Sequence, residues 1–456
     1  MLMYDILIKN GYVYDSNGGF SKTNLGIDNG KIEYVGKEEL EAKQIISAEG
    51  KYVVPGAIDP HTHFGIYEPW EKDFYSESRA AATGGITTVI NFYREKESYL
   101  NTLPELIKRA EENSIIDFGL HLGLLTDNHI NELKKYTEDL GVSSFKIYTN
   151  YMGKVKDKFN AEDGLNLDDG DLDYIFRKTS DEDINARICV HCENMEISRR
   201  LAKVYSGNEE PTLDFHDKMS PDYAETESVL STLYLAKNAN AKVYIVHVSS
   251  GSTIKALEAN EDLLDNDVFI ETCPHYLAQD IESDAGLKAK VNPPIREKQN
   301  NEIIWQGIKK GIVNTIGSDH CNLMLSKKGK GEYKDFMPGF GGLTLTYPIL
   351  ISEGYHKRNM DLGKLVKLTS ENVAKSYNLY PQKGSLEVGT DADICILDLE
   401  KEKKVSYKEL NSSSDFSIYE GRTFKGWPIL TISNGQVIMK DGKIENNEVR
   451  GRYIKR

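Results

Sequence analysis

The sequence has no excess of positive charge: Lys and Arg number 56 against 71 Asp and Glu, a net charge of -15 over 456 residues. A nucleic-acid binder needs a basic face to neutralise phosphates, and the basic runs here are short and interspersed with acids. No nucleic acid is expected as a partner, and small molecules are. Long apolar runs are also missing. Crossing a bilayer takes about 18–20 consecutive apolar residues, and the opening stretch Met1 to Asn10 is interrupted by Asp5 and Lys9, which breaks any signal-peptide core. The expectation is a soluble, cytoplasmic protein with no membrane partner. Cysteine is scarce, with five residues, Cys189, Cys192, Cys273, Cys321 and Cys395. An odd number, four of them in apolar or motif-like contexts, fits reduced thiols better than a disulfide framework. Cys189 and Cys192 flank His191, but on a strand Cys192 points away from the other two, and no second pair completes a structural cysteine zinc site.

What is present is alternation. A chain of this length fits two or three domains, or one barrel with a smaller companion. Between Val53 and Leu379, short β-branched or apolar runs alternate with helical patterns, the signal of repeated βα units. The runs are Ala57–His63, Thr88–Phe92, Asp117–Leu122, Ser144–Tyr148, Arg187–His191, Val243–Val248, Val268–Thr272 and Val313–Ser318. Helical patterns include Phe74–Thr83, Leu103–Asn113, Asn128–Leu140, Leu172–Thr179, Ala224–Asn238, Thr253–Ala259 and Gln299–Lys310. Eight such units predict an α/β fold, a closed (β/α)8 TIM barrel over residues 55–380. Both flanks read as short strands broken by turn signals such as Asn10-Gly11 and Asn434-Gly435, too few on either side for an independent core. They are expected to combine, residues 1–54 with 381–456, into one discontinuous β-sandwich.

In such a barrel the C-terminal strand ends converge on one open face. Here they carry His61 and His63, Lys146, His191, His247, and Asp319 followed by His320. Two histidines at i, i+2 on a strand point the same way and can grip one cation. Taken singly each residue has a mundane reading: a hydrogen-bonded rim histidine, a solvent-seeking lysine, a helix-capping aspartate. Four of only ten histidines at strand ends beside an aspartate is hard to explain by packing.

With these motifs the chain resembles the metal-dependent amidohydrolase superfamily, and within it the cyclic amidohydrolases: dihydropyrimidinase, hydantoinase, allantoinase and dihydroorotase. The matching stretches run along nearly the whole chain. They include Val54 to His63, Ala80 to Thr88, Ser144-Phe145-Lys146, Val190 to Asn194, Val246 to Ser249, Cys273 to Leu277, Asn292 to Arg296, Ser318 to Cys321 and Gly389 to Asp393. The resemblance implies two divalent metal ions, zinc by family habit. His61, His63 and Asp319 would hold one, His191 and His247 the other, with Lys146 bridging as a carboxylated lysine, since a free ammonium has no lone pair. It implies that Tyr151 donates to the oxyanion and that Asp319 shuttles the proton from water to the leaving nitrogen. The product would be an N-carbamoyl amino acid, and the protein a homotetramer or homodimer.

Within the family, Phe64-Gly65-Ile66 follows the histidine pair where dihydroorotases carry an arginine, and Ile90-Asn91-Phe92 is close to the Ile-Asp-Phe of hydantoinases. With Tyr151 this favours a dihydropyrimidinase or hydantoinase over allantoinase or dihydroorotase. Asn292 stands where hydantoinases have the serine whose backbone holds the substrate amide, and Asn322-Leu323 and Pro338-Gly339-Phe340 also depart from the family pattern. The intact ligand set discriminates against a non-enzymatic, dihydropyrimidinase-related scaffold. Asn150 to Asp171, rich in lysine and aspartate, fails the EF-hand spacing and reads as a solvated loop beside the mouth that ends in a helix N-cap. The acidic surface as a whole fits an uncharged ring.

Overall fold

The computed structural model describes residues 3–265, 267–447 and 451–456. Among these, eight parallel strands pair in chain order: β1 (Ala57–Thr62), β2 (Ile86–Tyr93), β3 (Asp117–Gly123), β4 (Ser144–Tyr148), β5 (Arg187–His191), β6 (Lys242–Ile245), β7 (Val268–Thr272) and β8 (Thr315–Ile316). The ring closes where Thr62 bridges His320, with His63 N donating to His320 O at 2.8 Å and His320 N to His61 O at 3.3 Å. Strands β1, β3, β4 and β5 are buried along their whole length, inside against the barrel core and outside against helices. That is why they read as continuous apolar runs instead of alternating ones.

The helices cover the barrel with one apolar stripe each. Tyr99–Glu111 buries Tyr99, Leu103 and Ala110, and Lys298–Lys310 buries Ile304, Trp305 and Ile308 before Gly311 ends it at φ 86°. Asp168 caps Asp169–Asp181, its Oδ1 accepting from Gly170 N at 3.0 Å and Asp171 N at 3.1 Å. The pattern over Asn128–Leu140 forms two short helices, Asp127–Asn131 and Leu133–Glu138, broken at Glu132. Its carboxylate accepts from Ser98 Oγ at 2.6 Å and Tyr136 Oη at 2.7 Å. Two barrel strands are shorter than their apolar runs: β6 stops at Ile245 and β8 holds only two residues. The reason is local, since His247 and Asp319 turn into the left-handed region at φ 43° and 50° and leave the ladder.

Nine further strands, counted among the described residues, form a mixed sheet from both ends of the chain. Tyr4–Tyr14 is its hub. It pairs antiparallel with Phe20–Asp28, parallel with Ala42–Ser47 through its first half, and parallel with Tyr52–Pro55 at its end. Asn10-Gly11, which reads as a turn, is instead a bulge inside this one strand, with Asn10 at φ 61° and a register shift between Ile8 and Gly11. A bulge bends a strand without ending it, so one strand serves both layers of the sandwich. A Cβ on Gly11 would lie 2.5 Å from Val53 Cγ2, so the close approach needs glycine. Tyr52–Pro55 in turn pairs antiparallel with Ile394–Lys404, which joins the two chain ends.

Sheet and barrel are clasped at the N-terminal side of the strands. Lys383 Nζ lies 2.7 Å from Asp117 Oδ2 at the start of β3, 2.5 Å from Asp393 Oδ2 and 3.3 Å from Asp391 Oδ2, all buried. Arg452 adds a contact to Asp117 at 3.1 Å, and Asn434 Nδ2 donates to Asp117 Oδ1 at 2.9 Å. The Gly389 to Asp393 motif is therefore structural, and the cation within its cluster of three aspartates is Lys383.

Candidate metal centre

At the opposite, C-terminal side of the barrel the predicted residues meet. Asp319 Oδ1 lies 3.2 Å from His61 Nε2 and 3.0 Å from His63 Nε2, and one donor atom from each of the three falls within 4.8 Å of the others. His191 Nδ1 lies 2.8 Å from His247 Nε2, and the His61 and His247 ring centroids are 5.2 Å apart, so the two groups adjoin. Lys146 enters from β4 with its Nζ 4.8 Å from the Phe92 ring centroid, buried and without a hydrogen-bond partner. An unpaired buried ammonium is strongly disfavoured, so this arrangement fits a cluster built around something other than protein.

The protonation states suit cation binding. Burial lowers the His63 imidazole to about 4 and holds His247 well below the usual range. Burial opposes ionisation of Asp319, but the neighbouring His61 and His63 outweigh it and keep the carboxyl well below its usual range. At neutral pH His63 and His247 thus offer neutral imidazoles and Asp319 a charged carboxylate, the forms that bind metal.

Behind the ligands stands a set of acids to which sequence reasoning gave no role. Glu271 on β7 accepts from His61 Nδ1 at 2.7 Å, His247 N at 2.9 Å and Tyr244 Oη at 2.9 Å. A carboxylate can only accept, so it fixes the proton on His61 Nδ1 and leaves the Nε2 lone pair facing the cleft. Glu193 Oε2 does the same from the other side, 2.6 Å from His191 Nε2, while its second oxygen accepts from Ser220. Asp59 receives His61 N and Ser318 N, both at 3.0 Å, and burial raises its carboxyl to about 6. Gly317 makes room for these groups: a Cβ there would lie 2.4 Å from Glu271 Oε2 and 2.7 Å from His61 Cβ. The available signal for Glu271 was an acid inside the otherwise apolar run Val268–Thr272.

A cleft of about 760 Å³ opens over the cluster, with Tyr151 and Asn292 in its wall. The Tyr151 ring stacks on Tyr148 at 5.3 Å and 25°. His320 lies outside the cluster, its Nε2 3.0 Å from Glu77 Oε2 and its Nδ1 accepting from Gly342 N at 3.0 Å. Cys189 and Cys192 are buried thiols that burial pushes up to about 11 and about 12. Cys192 Sγ lies 3.6 Å from Thr232 Oγ1.

Buried neutral histidines carry a stability consequence. His63, His216 and His275 are each lowered by burial to about 4, against ~6.5 in an unfolded chain. Between these values the unfolded chain binds protons that the folded one refuses, so stability falls as pH drops from about 6.5 towards 4. Burial lowers His121, His129 and His247 as well, while the carboxyls it raises, Asp59, Asp73, Asp171, Asp217 and Asp393, act in the opposite sense but are fewer. Thermal melts of the metal-free protein should give a lower Tm at pH 5 than at pH 7. An equal or higher value at pH 5 would contradict the assignment.

A closed parallel barrel with histidines and a carboxylate gathered at its strand ends defines a metallohydrolase type of active site. The chain belongs to the amidohydrolase family, whose model matches residues 52–438. It is 32% identical to a D-hydantoinase of Geobacillus stearothermophilus, over 99% of this chain and 96% of that protein. Among solved structures, a dihydropyrimidinase from Brevibacillus agri superposes with a TM-score of 0.88 at 30% identity, covering 99% of this chain and 98% of the other. An L-hydantoinase from Arthrobacter aurescens gives 0.88 at 29% identity, with full coverage of both chains. Among the described residues no helix is long and apolar enough to cross a membrane.

Proposed function

We propose that the cleft opens a dihydropyrimidine or hydantoin-type ring to an N-carbamoyl amino acid, using two divalent cations, zinc by the character of the donors. The chain is a hydrolase acting on carbon–nitrogen bonds in cyclic amides. One cation would sit with His61, His63 and Asp319 and the other with His191 and His247, with carboxylated Lys146 between them. The observation that carries this reading is the buried, unpartnered Lys146 Nζ. Burial lowers its ammonium to about 8, which raises the fraction of free amine able to take up carbon dioxide at neutral pH. The resulting carbamate replaces an unpaired cation with an anion whose two oxygens can each meet a positive charge.

When bound, the cations supply an activated water and polarise the ring carbonyl. Asp319, ionised at neutral pH, receives the proton of the attacking water and returns it to the ring nitrogen as the bond breaks. The Tyr151 hydroxyl donates to the carbonyl oxygen as negative charge develops on it, and Asn292, also in the cleft wall, holds the ring. Tyr151→Phe should lower kcat by about 10²-fold or more and change KM little, the mark of a contact made chiefly in the transition state. Equal kcat in both proteins would remove Tyr151 from this role.

The reading as a whole is tested by measuring metal content and then assaying hydantoin, dihydrouracil, allantoin and dihydroorotate. Opening of hydantoin or dihydrouracil by a metal-containing protein is the expected result. A protein that purifies without metal and opens none of the four rings would overturn it.

A further inference from the structure

The wall of the cleft carries a charge pattern opposite to that of the molecule. Apart from Lys146 it is lined by four cations, Arg94, Lys154, Lys158 and Arg199. Its carboxylates are Asp319, placed in the metal cluster, and Glu193, engaged by His191 and Ser220. Among the described residues no carboxylate lies within ion-pair distance of any of these four cations. On the same segment Lys156, which does not line the cleft, pairs with Glu162 at 2.7 Å. In a chain with 71 acids and 56 bases, a wall that carries four cations and no uncommitted carboxylate runs against the net charge.

Arg94 is the innermost of them. It follows β2, and its Cζ lies 5.3 Å from the Tyr148 ring centroid and 5.7 Å from that of Tyr151. Lys146 Nζ lies 5.5 Å from the same Tyr148 ring, so Arg94 stands about one aromatic ring away from the centre of the cluster. Its charge is felt there, since it is among the groups that lower the His63 imidazole. Two tyrosine faces hold the guanidinium without neutralising it, and its planar fork matches a carboxylate. Farther out, Lys158 Nζ lies 3.9 Å from the Tyr151 ring centroid, and Arg199 is tethered through Nη2 to Met152 O.

We infer that the ring this enzyme opens carries an anionic substituent, a carboxylate on the ring or on a short side chain, and that Arg94 is the residue that selects it. This rests on the cyclic-amide reading above and narrows its substrate class. The uncharged ring suggested by the net charge is revised for a physical reason: that count sums the whole surface, whereas a bound ring meets only the mouth.

The test compares two isosteric probes that differ in charge, hydantoin-5-acetate and hydantoin-5-acetamide, on the zinc-loaded enzyme. The expected result is a kcat/KM about tenfold or more in favour of the carboxylate, shrinking as salt is raised from roughly 0.05 to 0.5 M. Arg94→Met should collapse the ratio, and Arg94→Lys should keep part of it. Calorimetric titration of the metal-free enzyme, which reads binding without turnover, should show tighter binding of the carboxylate by wild type and no such difference in Arg94→Met. An enzyme that opens both probes equally well, or loses both equally in Arg94→Met, overturns the inference and leaves the hydrolase reading standing. A zinc-loaded enzyme that opens hydantoin or dihydrouracil but neither probe overturns the inference alone; one that opens none of these rings removes the hydrolase reading with it.

Discussion

Replacing Lys146 with alanine should abolish turnover, lowering kcat/KM by roughly 10³-fold or more, and bring the metal content below two ions per chain. In the proposed site Lys146 would join the His61–His63–Asp319 group to the His191–His247 pair, and alanine offers no atom to do so. The same substitution should not destabilise the metal-free fold. It removes a buried nitrogen that has no hydrogen-bond partner, and deleting an unsatisfied buried group relieves a penalty while leaving no broken bond behind. Loss of activity together with an unchanged or raised Tm of the metal-free protein would separate a chemical role from a packing role. Partial recovery on adding acetate, small enough to enter the space vacated by the lysine, would identify the missing group as a carboxylate. A Lys146→Ala protein that keeps two metals and turns over normally would end the two-cation proposal.

The largest effect on stability is expected far from the cleft. Lys383→Met leaves Asp117, Asp391 and Asp393 facing one another without their ammonium. Breaking a buried ion pair by removing one partner costs about 3–5 kcal/mol; Arg452 still reaches Asp117 and Asp391 and Lys31 reaches Asp391, but Asp393 loses its ammonium. Urea unfolding should therefore shift well to lower concentration. The variant should also recover with acid where the wild type does not. Without Lys383 the carboxyls are raised above their unfolded values, the folded state binds more protons than the unfolded one, and stability increases as pH falls through that window. A loss under about 1 kcal/mol would mean that Arg452 and solvent already compensate the aspartates.

The strands and the residues that gather at their ends were legible in the sequence for the same reason. A parallel strand buried on both faces has to be apolar throughout, so His61, Lys146 and His191 stand out at the ends of such runs. What was hidden depends on relations across the barrel. Glu271 gains its role from His61, 210 residues away in the chain, and no local pattern announces that pairing. His247 and Asp319 sit in left-handed backbone, a conformation that a histidine or aspartate does not betray as a glycine would, so both strands were drawn too long. The helices Met195–Val204 and Leu213–Met219 were passed over because they lie between β5 and the next barrel helix, where one helix per strand was already counted. Nothing local in the sequence marks Arg94, since an arginine after a strand usually reaches solvent; Tyr148 and Tyr151, more than 50 residues on, hold it over the cleft.

The strand Tyr52–Pro55 finds its antiparallel partner only at Ile394–Lys404. On a ribosome adding 5–20 residues per second, the interval between the two is on the order of 15 to 70 s. Throughout that time the amino-terminal strands exist with one edge open, while the intervening barrel is still being made. An exposed edge is a template for the wrong partner. The exposed Lys22 on Phe20–Asp28 and the exposed Lys43 on Ala42–Ser47 can then be understood as protection for a nascent chain as much as decoration of a finished one.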